Sequence, residues 1–91
     1  MVTSFILMNV ERTKINEVAA QLVEIKGISE VYSVSGKYDL IAIVRVPSND
    51  DLAILVTDKL RNLESILKTE TMLAFKTFSK HDLEAMFAIG I

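Results

Sequence analysis

The chain has 91 residues, 51% of them hydrophobic, with ten basic and twelve acidic side chains and a net charge of −2. It has no cysteine, which excludes disulfide and thiolate chemistry and fits a reducing compartment, and its basic residues form no stripe of the kind a direct nucleic-acid interface requires. No apolar run nears the ~18 residues of a membrane span, and the N-terminus has neither a basic region nor a small-residue cleavage site, so no membrane or export role is expected and the location expected is cytoplasmic.

Val2 to Val10 is dense in β-branched and large apolar residues and predicts a strand. Thr13 is expected to cap the helix that follows, with Glu17 near its positive end. Ile15, Val18, Ala19, Leu22 and Ile25 recur at helical spacing, and Gly27 stops the helix. Ile28 to Ser35 and Tyr38 to Val46 predict two strands joined by a tight hairpin at Gly36. Pro47-Ser48-Asn49-Asp50 breaks the third strand, and Ser48 with Asp51 resembles a capping box opening a second helix. Leu52, Leu55, Val56, Leu60 and Leu63 give that helix its apolar stripe. Ile66 to Phe78 predicts a fourth, long strand, and Ser79 with Asp82 starts a short final helix on which Leu83, Met86 and Phe87 share a side.

The order βαββαβ repeats itself at a shift of thirty-eight positions: Val18 falls on Val56, Leu22 on Leu60, Ile25 on Leu63, Ile28 on Ile66 and Phe5 on Ile43. Two matching βαβ units predict an α+β, ferredoxin-like fold, a single domain over residues 1–91 with one antiparallel sheet and two helices on one face. A sheet with one wet face should alternate apolar and polar residues. Here Phe5 and Leu7 oppose Ile6 and Met8, Ile41 and Ile43 oppose Ala42 and Val44, and Met72 and Ala74 oppose Leu73 and Phe75. Both faces are therefore expected to be buried, one by the helices and the other by a second copy in a homodimer.

Catalytic and metal-binding groupings are not legible. His81 is the lone histidine, among polar residues; the glycines are too few for a phosphate loop; Glu11, Glu17, Asp50 and Asp51 sit at helix starts, where the helix dipole explains acids. No catalytic residue, metal or cofactor is expected. Tyr32 and Tyr38 lack the interleaved basic residues of a base-stacking platform.

Gly36-Lys37-Tyr38-Asp39 is the stretch with most chemical content. A glycine turn with free N–H groups beside a carboxylate suits a small zwitterion, although the same pattern also describes an ordinary connecting turn. Together with Ile25-Lys26-Gly27-Ile28, Val31, Val34-Ser35 and the later Thr69-Glu70-Thr71, the Gly-x-Tyr-Asp-Leu hairpin resembles the effector-binding domain of the Lrp/AsnC regulators of amino-acid metabolism, over roughly Val2 to Phe78. The resemblance implies a sheet-to-sheet dimer, dimers assembled into rings, commonly octamers, and an amino-acid effector bound in clefts between dimers. It assigns Gly36, Tyr38 and Asp39 to the hairpin that holds the effector's carboxylate and amine, and Thr69 and Thr71 to added hydrogen bonds. Selectivity then falls to neighbours, of which Glu30, Tyr32 and Ser33 are the candidates. The chain opens directly in a strand, without the helix-turn-helix of such regulators, so a stand-alone sensor is expected, acting by itself or by co-assembly with a full-length Lrp/AsnC regulator. Alternatives of similar topology are an ACT-type amino-acid module and a small dimeric α+β barrel enzyme of oxygenase or isomerase type, whose polar pocket the aliphatic interior here does not provide.

Overall fold

Alternating burial along the first strand sets the geometry of the sheet. In the computed structural model, which describes residues 1–80, β1 (Val2–Val10) buries Ser4, Ile6, Met8 and Val10 and leaves Phe5, Leu7 and Asn9 half-exposed. Its neighbours are β3 (Leu40–Val46) and β4 (Ile66–Leu73), with β2 (Ile28–Ser33) outside β3, giving the antiparallel order β2-β3-β1-β4. Helix α1 (Ile15–Val23) and the helical segment beginning with α2 (Asn49–Ile54) complete the ferredoxin-like α+β arrangement read from the repeat. Leu22 and Leu60, which superpose at the repeat shift, are both buried, and Val18 and Leu55 join Ile6, Met8, Leu40, Ala42 and Val44 in one core. Each of these side chains except Ala42 contributes about 1.5–3 kcal/mol of burial. The one buried polar side chain of this core layer among the described residues, Ser4, donates its hydroxyl to the Met72 carbonyl (3.0 Å), so β1 and β4 share a bond through the side chain as well as the backbone.

Several boundaries differ from expectation, each for a local reason. Thr13 does not cap a helix: the chain turns through a short 3-10 segment (Arg12–Lys14), Lys14 N–H donates to the Glu11 carbonyl (2.8 Å), and α1 begins without a side-chain cap. Ser48 does cap α2, accepting from Asp51 N–H (3.2 Å), and its hydroxyl donates to the Asp51 carboxylate (2.9 Å). The second helix is not uniform. It widens into a π-type turn (Leu55–Lys59) and tightens into a 3-10 turn (Leu60–Asn62). The Thr57 hydroxyl takes the Ala53 carbonyl (2.7 Å), an acceptor the regular ladder would use, and the wider turn lets Leu55 and Leu60, five apart, both face the core. β4 stops at Leu73 rather than Phe78: Ala74 N–H still donates to the Thr3 carbonyl (2.9 Å), but the pairing goes no further among the described residues, and Phe75 is 97% exposed. The expected final helix and His81 lie outside the described residues.

Gly27 meets two demands at the α1–β2 junction. Its φ is +103°, and a Cβ would stand 2.8 Å from Val46 Cγ1 and 3.1 Å from Leu55 Cδ1. Its carbonyl also accepts Arg45 N–H (2.8 Å). The face of the sheet opposite the helices carries Phe5, Leu7, Ile41, Ile43 and Met72, flanked by Glu30, Tyr32, Arg45, Lys68 and Glu70. Ile43 is enclosed by neighbours on that face and is separated from the main core by the sheet itself.

Candidate functional site

The β2–β3 connection is longer than a tight hairpin. Residues 34–39 leave the sheet after Ser33 and return at Leu40, closed by Val34 N–H donating to the Asp39 carbonyl (2.9 Å). Gly36 takes φ +110°, and no atom lies within 4 Å of where its Cβ would be, so glycine is required there for conformation alone. Among the described residues, none accepts a hydrogen bond from the N–H groups of Ser35, Gly36, Lys37 or Tyr38.

The loop is tied down at three places. Asp39 N–H donates to the Met8 carbonyl (2.8 Å), and the Asp39 carboxylate accepts Val10 N–H at Oδ2 (2.9 Å). Val10 sits where the β1–β4 register slips by one residue, and Asp39 accepts its N–H at that irregularity. Asn9 Nδ2 donates to the Lys37 carbonyl (2.7 Å). Finally, Tyr38 reaches across β1, and its hydroxyl donates to Glu70 Oε2 on β4 (2.6 Å). That bond pushes the Tyr38 pKa above the ordinary tyrosine value, with desolvation and the Glu70 charge adding to it.

The residues singled out in the sequence do not all converge. Gly36, Tyr38 and Asp39 form the tethered loop. Thr69 and Thr71 pair with Met8 and Ile6, which places them on the helix side of the edge strand β4, whereas Glu70 between them pairs with Leu7 on the opposite side. Thr69 lines an open depression of about 480 Å³ with Val56, Leu60, Leu63, Ile66 and Leu67, to which the loop contributes nothing. Glu30 and Tyr32 pair with Ile43 and Ile41 on the open face of β2, the other edge of the sheet, where the Tyr32 hydroxyl donates to Glu30 (2.8 Å) and its pKa is raised chiefly by that bond. Ser33 pairs with Leu40 and faces the helix side. The edge strands stand three strand spacings apart, about 14 Å. Glu30 and Tyr32 therefore share no small-ligand space with β4 within one chain.

Sequence reasoning does not select Asn9, Val10 or Glu70. Strand alternation carries a signal for two of them. Asn9 is the polar residue at the last open-face position of an apolar strand, and a residue between two threonines of one strand must face the side opposite to theirs. The Val10 amide becomes an available donor through a register slip, which no residue type announces.

Among the described residues, no three His, Cys, Asp or Glu side chains gather as a metal site, and no helix is long and apolar enough to cross a membrane. The assembled chemistry is a row of loop amides beside a carboxylate, with a phenol–carboxylate pair at its flank. That arrangement can hold an anion and a cation a few ångströms apart.

The chain has relatives among known proteins. The model of the Lrp/AsnC ligand binding domain matches residues 3–83. An uncharacterized HTH-type transcriptional regulator of Pyrococcus horikoshii is 39% identical over 61 residues, which is 67% of this chain and 41% of that protein. The chain thus spans less than half the length of the curated relatives it matches. The crystal structure of TTHA0845 from Thermus thermophilus superposes with a TM-score of 0.83 at 35% identity, covering 88% of this chain and 100% of that one. A transcriptional regulator of Neisseria meningitidis, crystallised as its L-Met complex, shares the fold, with a TM-score of 0.77 at 14% identity over 86% of this chain and 52% of that one.

Proposed function

Since the chain belongs to the family of Lrp/AsnC ligand-binding domains, we propose that it is a non-enzymatic module of transcriptional regulation that senses an amino acid in oligomeric form. One observation carries the reading: the Ser35–Tyr38 amides have no acceptor among the described residues, and they lie next to Asp39. In this reading the amides receive the effector's α-carboxylate. Asp39, with Oδ2 held by Val10 N–H, offers Oδ1 to the α-ammonium. Thr69 and Thr71, on the helix side of edge strand β4, add hydroxyl contacts to an effector held by a neighbouring subunit's loop. Glu30, Tyr32 and Ser33 of a neighbouring subunit read the effector's side chain.

The open face supports the oligomer. Phe5, Leu7, Ile41, Ile43 and Met72 form an apolar centre ringed by charges, the composition of an isologous interface. The dimer buries this face, and dimers close into a ring, an octamer in the arrangement the family resemblance implies, with effector clefts between dimers. The same aliphatic face leaves a barrel-type enzyme no polar pocket. The module works in the cytoplasm, alone or co-assembled with a full-length regulator that contacts DNA.

The test is thermal denaturation with each proteinogenic L-amino acid, methionine included, beside native mass spectrometry. An effector present at a hundred times its Kd stabilises by about 2.7 kcal/mol. A melting curve unmoved by any of them, together with a solitary chain in the mass spectrum, rejects the reading.

A further inference from the structure

We propose that Glu70 is a positioning residue for the loop, holding Tyr38 and through it the Ser35–Tyr38 amides in the geometry that receives a carboxylate; this rests on the sensor reading above. The tip of the loop has no packing to hold it, since nothing lies within 4 Å of the Cβ position at Gly36. Its shape depends on hydrogen bonds. Two of the tethers, Asn9 to the Lys37 carbonyl and Asp39 to Val10 N–H, end on β1. Among the described residues, the Tyr38–Glu70 bond alone of the loop's tethers crosses to β4, and at 2.6 Å it has the length of a charge-assisted O–H···O⁻ contact. It makes the position of the amides depend on the strand that carries Thr69 and Thr71, and so couples the two separated parts of the candidate site. The raised Tyr38 pKa agrees with a phenol held in its donating form.

Because the bond is solvent-exposed, its loss should register in the loop and hardly at all in global stability. Amide hydrogen exchange on the whole chain, without ligand, reads this directly. Glu70→Ala and Tyr38→Phe should each speed exchange at the bonded amides that close the loop, Val34 and Asp39, by about five- to tenfold, at an unchanged melting temperature. Glu70→Gln, which keeps the acceptor, should restore protection. The double variant Tyr38→Phe with Glu70→Ala should exchange no faster than either single one. Wild-type exchange in Glu70→Ala, or losses that multiply in the double variant, would overturn the proposal. Titration with the L-amino acid that most raises the melting temperature adds a second readout. Glu70→Ala should weaken binding about five- to tenfold through lost preorganisation, and Glu70→Gln should recover it. A Gln variant as damaged as the Ala variant would mean that the Glu70 charge acts on the ligand itself, against a positioning role. Failure of the wild type to bind any amino acid would sink the sensor reading and leave the exchange result to decide the role of Glu70 in the loop.

Discussion

Replacing Asp39 by asparagine and by alanine separates its two roles. Val10 is 4% exposed, and its N–H donates to Asp39 Oδ2 at 2.9 Å. Alanine strands that donor away from water, at a cost of about 1–3 kcal/mol. For a domain of this size that lowers the melting temperature by on the order of 10 °C. Asparagine keeps an oxygen in the same place. The bond survives as a neutral one, and the loss should stay below about 1 kcal/mol. Toward an amino acid the difference disappears. Asparagine puts an NH₂ where the ammonium needs an acceptor, so both variants lose a charge-assisted bond worth about 1.5–3 kcal/mol, or about 10- to 100-fold in Kd. Urea denaturation and calorimetric titration at one fixed protein concentration measure both effects, the concentration being held because association shifts apparent stability. An asparagine variant as unstable as the alanine variant would refute the Val10 assignment. An asparagine variant with wild-type affinity would refute the role given to Asp39 in binding.

Gly27→Ala and Gly36→Ala make a second pair. Both force alanine to positive φ, about 1–2 kcal/mol, but only Gly27 adds a collision with Val46 and Leu55, about 1–3 kcal/mol more, so urea melts should rank Gly27→Ala clearly below Gly36→Ala. Ile43→Lys places a charge at the centre of the open face. Sedimentation should show it dissociated at concentrations where the wild type associates, with its circular dichroism spectrum retained, and an unchanged assembly would argue against that face as the interface. Alkaline titration tests Tyr38. Its folded pKa lies above the unfolded value near 10, so the stability it adds is complete below that pH and is lost as pH rises through the folded value. Glu70→Gln should lower the phenol's midpoint in a spectrophotometric titration, and no change would mean the bond does not persist in solution.

The sheet and both helices are legible in the sequence because the apolar periods are unambiguous. Ile15, Val18, Ala19 and Leu22 read as a helix stripe, although Ile25, expected to extend it, lies past the helix end at Val23, and the doubled pattern at a fixed shift gives the pairing of the halves. Which side of the sheet meets the helices does not follow, since β1 and β3 are apolar on both sides; only the structure shows Ile6 and Ala42 fully buried and Phe5 and Leu7 half-exposed. Less legible are features set by partners distant in sequence. The end of β4 falls at Leu73 opposite Ser4, the length of the loop after Ser33 depends on an Asp39 amide bonded to Met8, and the widened turn at Leu55–Lys59 involves one threonine hydroxyl. The site divides in the same way. The glycine and aspartate of the loop stand out by type, whereas Asn9, Val10 and Glu70 become visible only once the register is known.

The early halt of the fourth strand has a practical side. Residues 75–78 carry two phenylalanines left exposed among the described residues, Phe75 at 97% and Phe78 at 67%. Lying beyond the last paired rung, both rings can be exchanged for polar side chains at little cost to the fold, which makes this stretch the place to tune solubility.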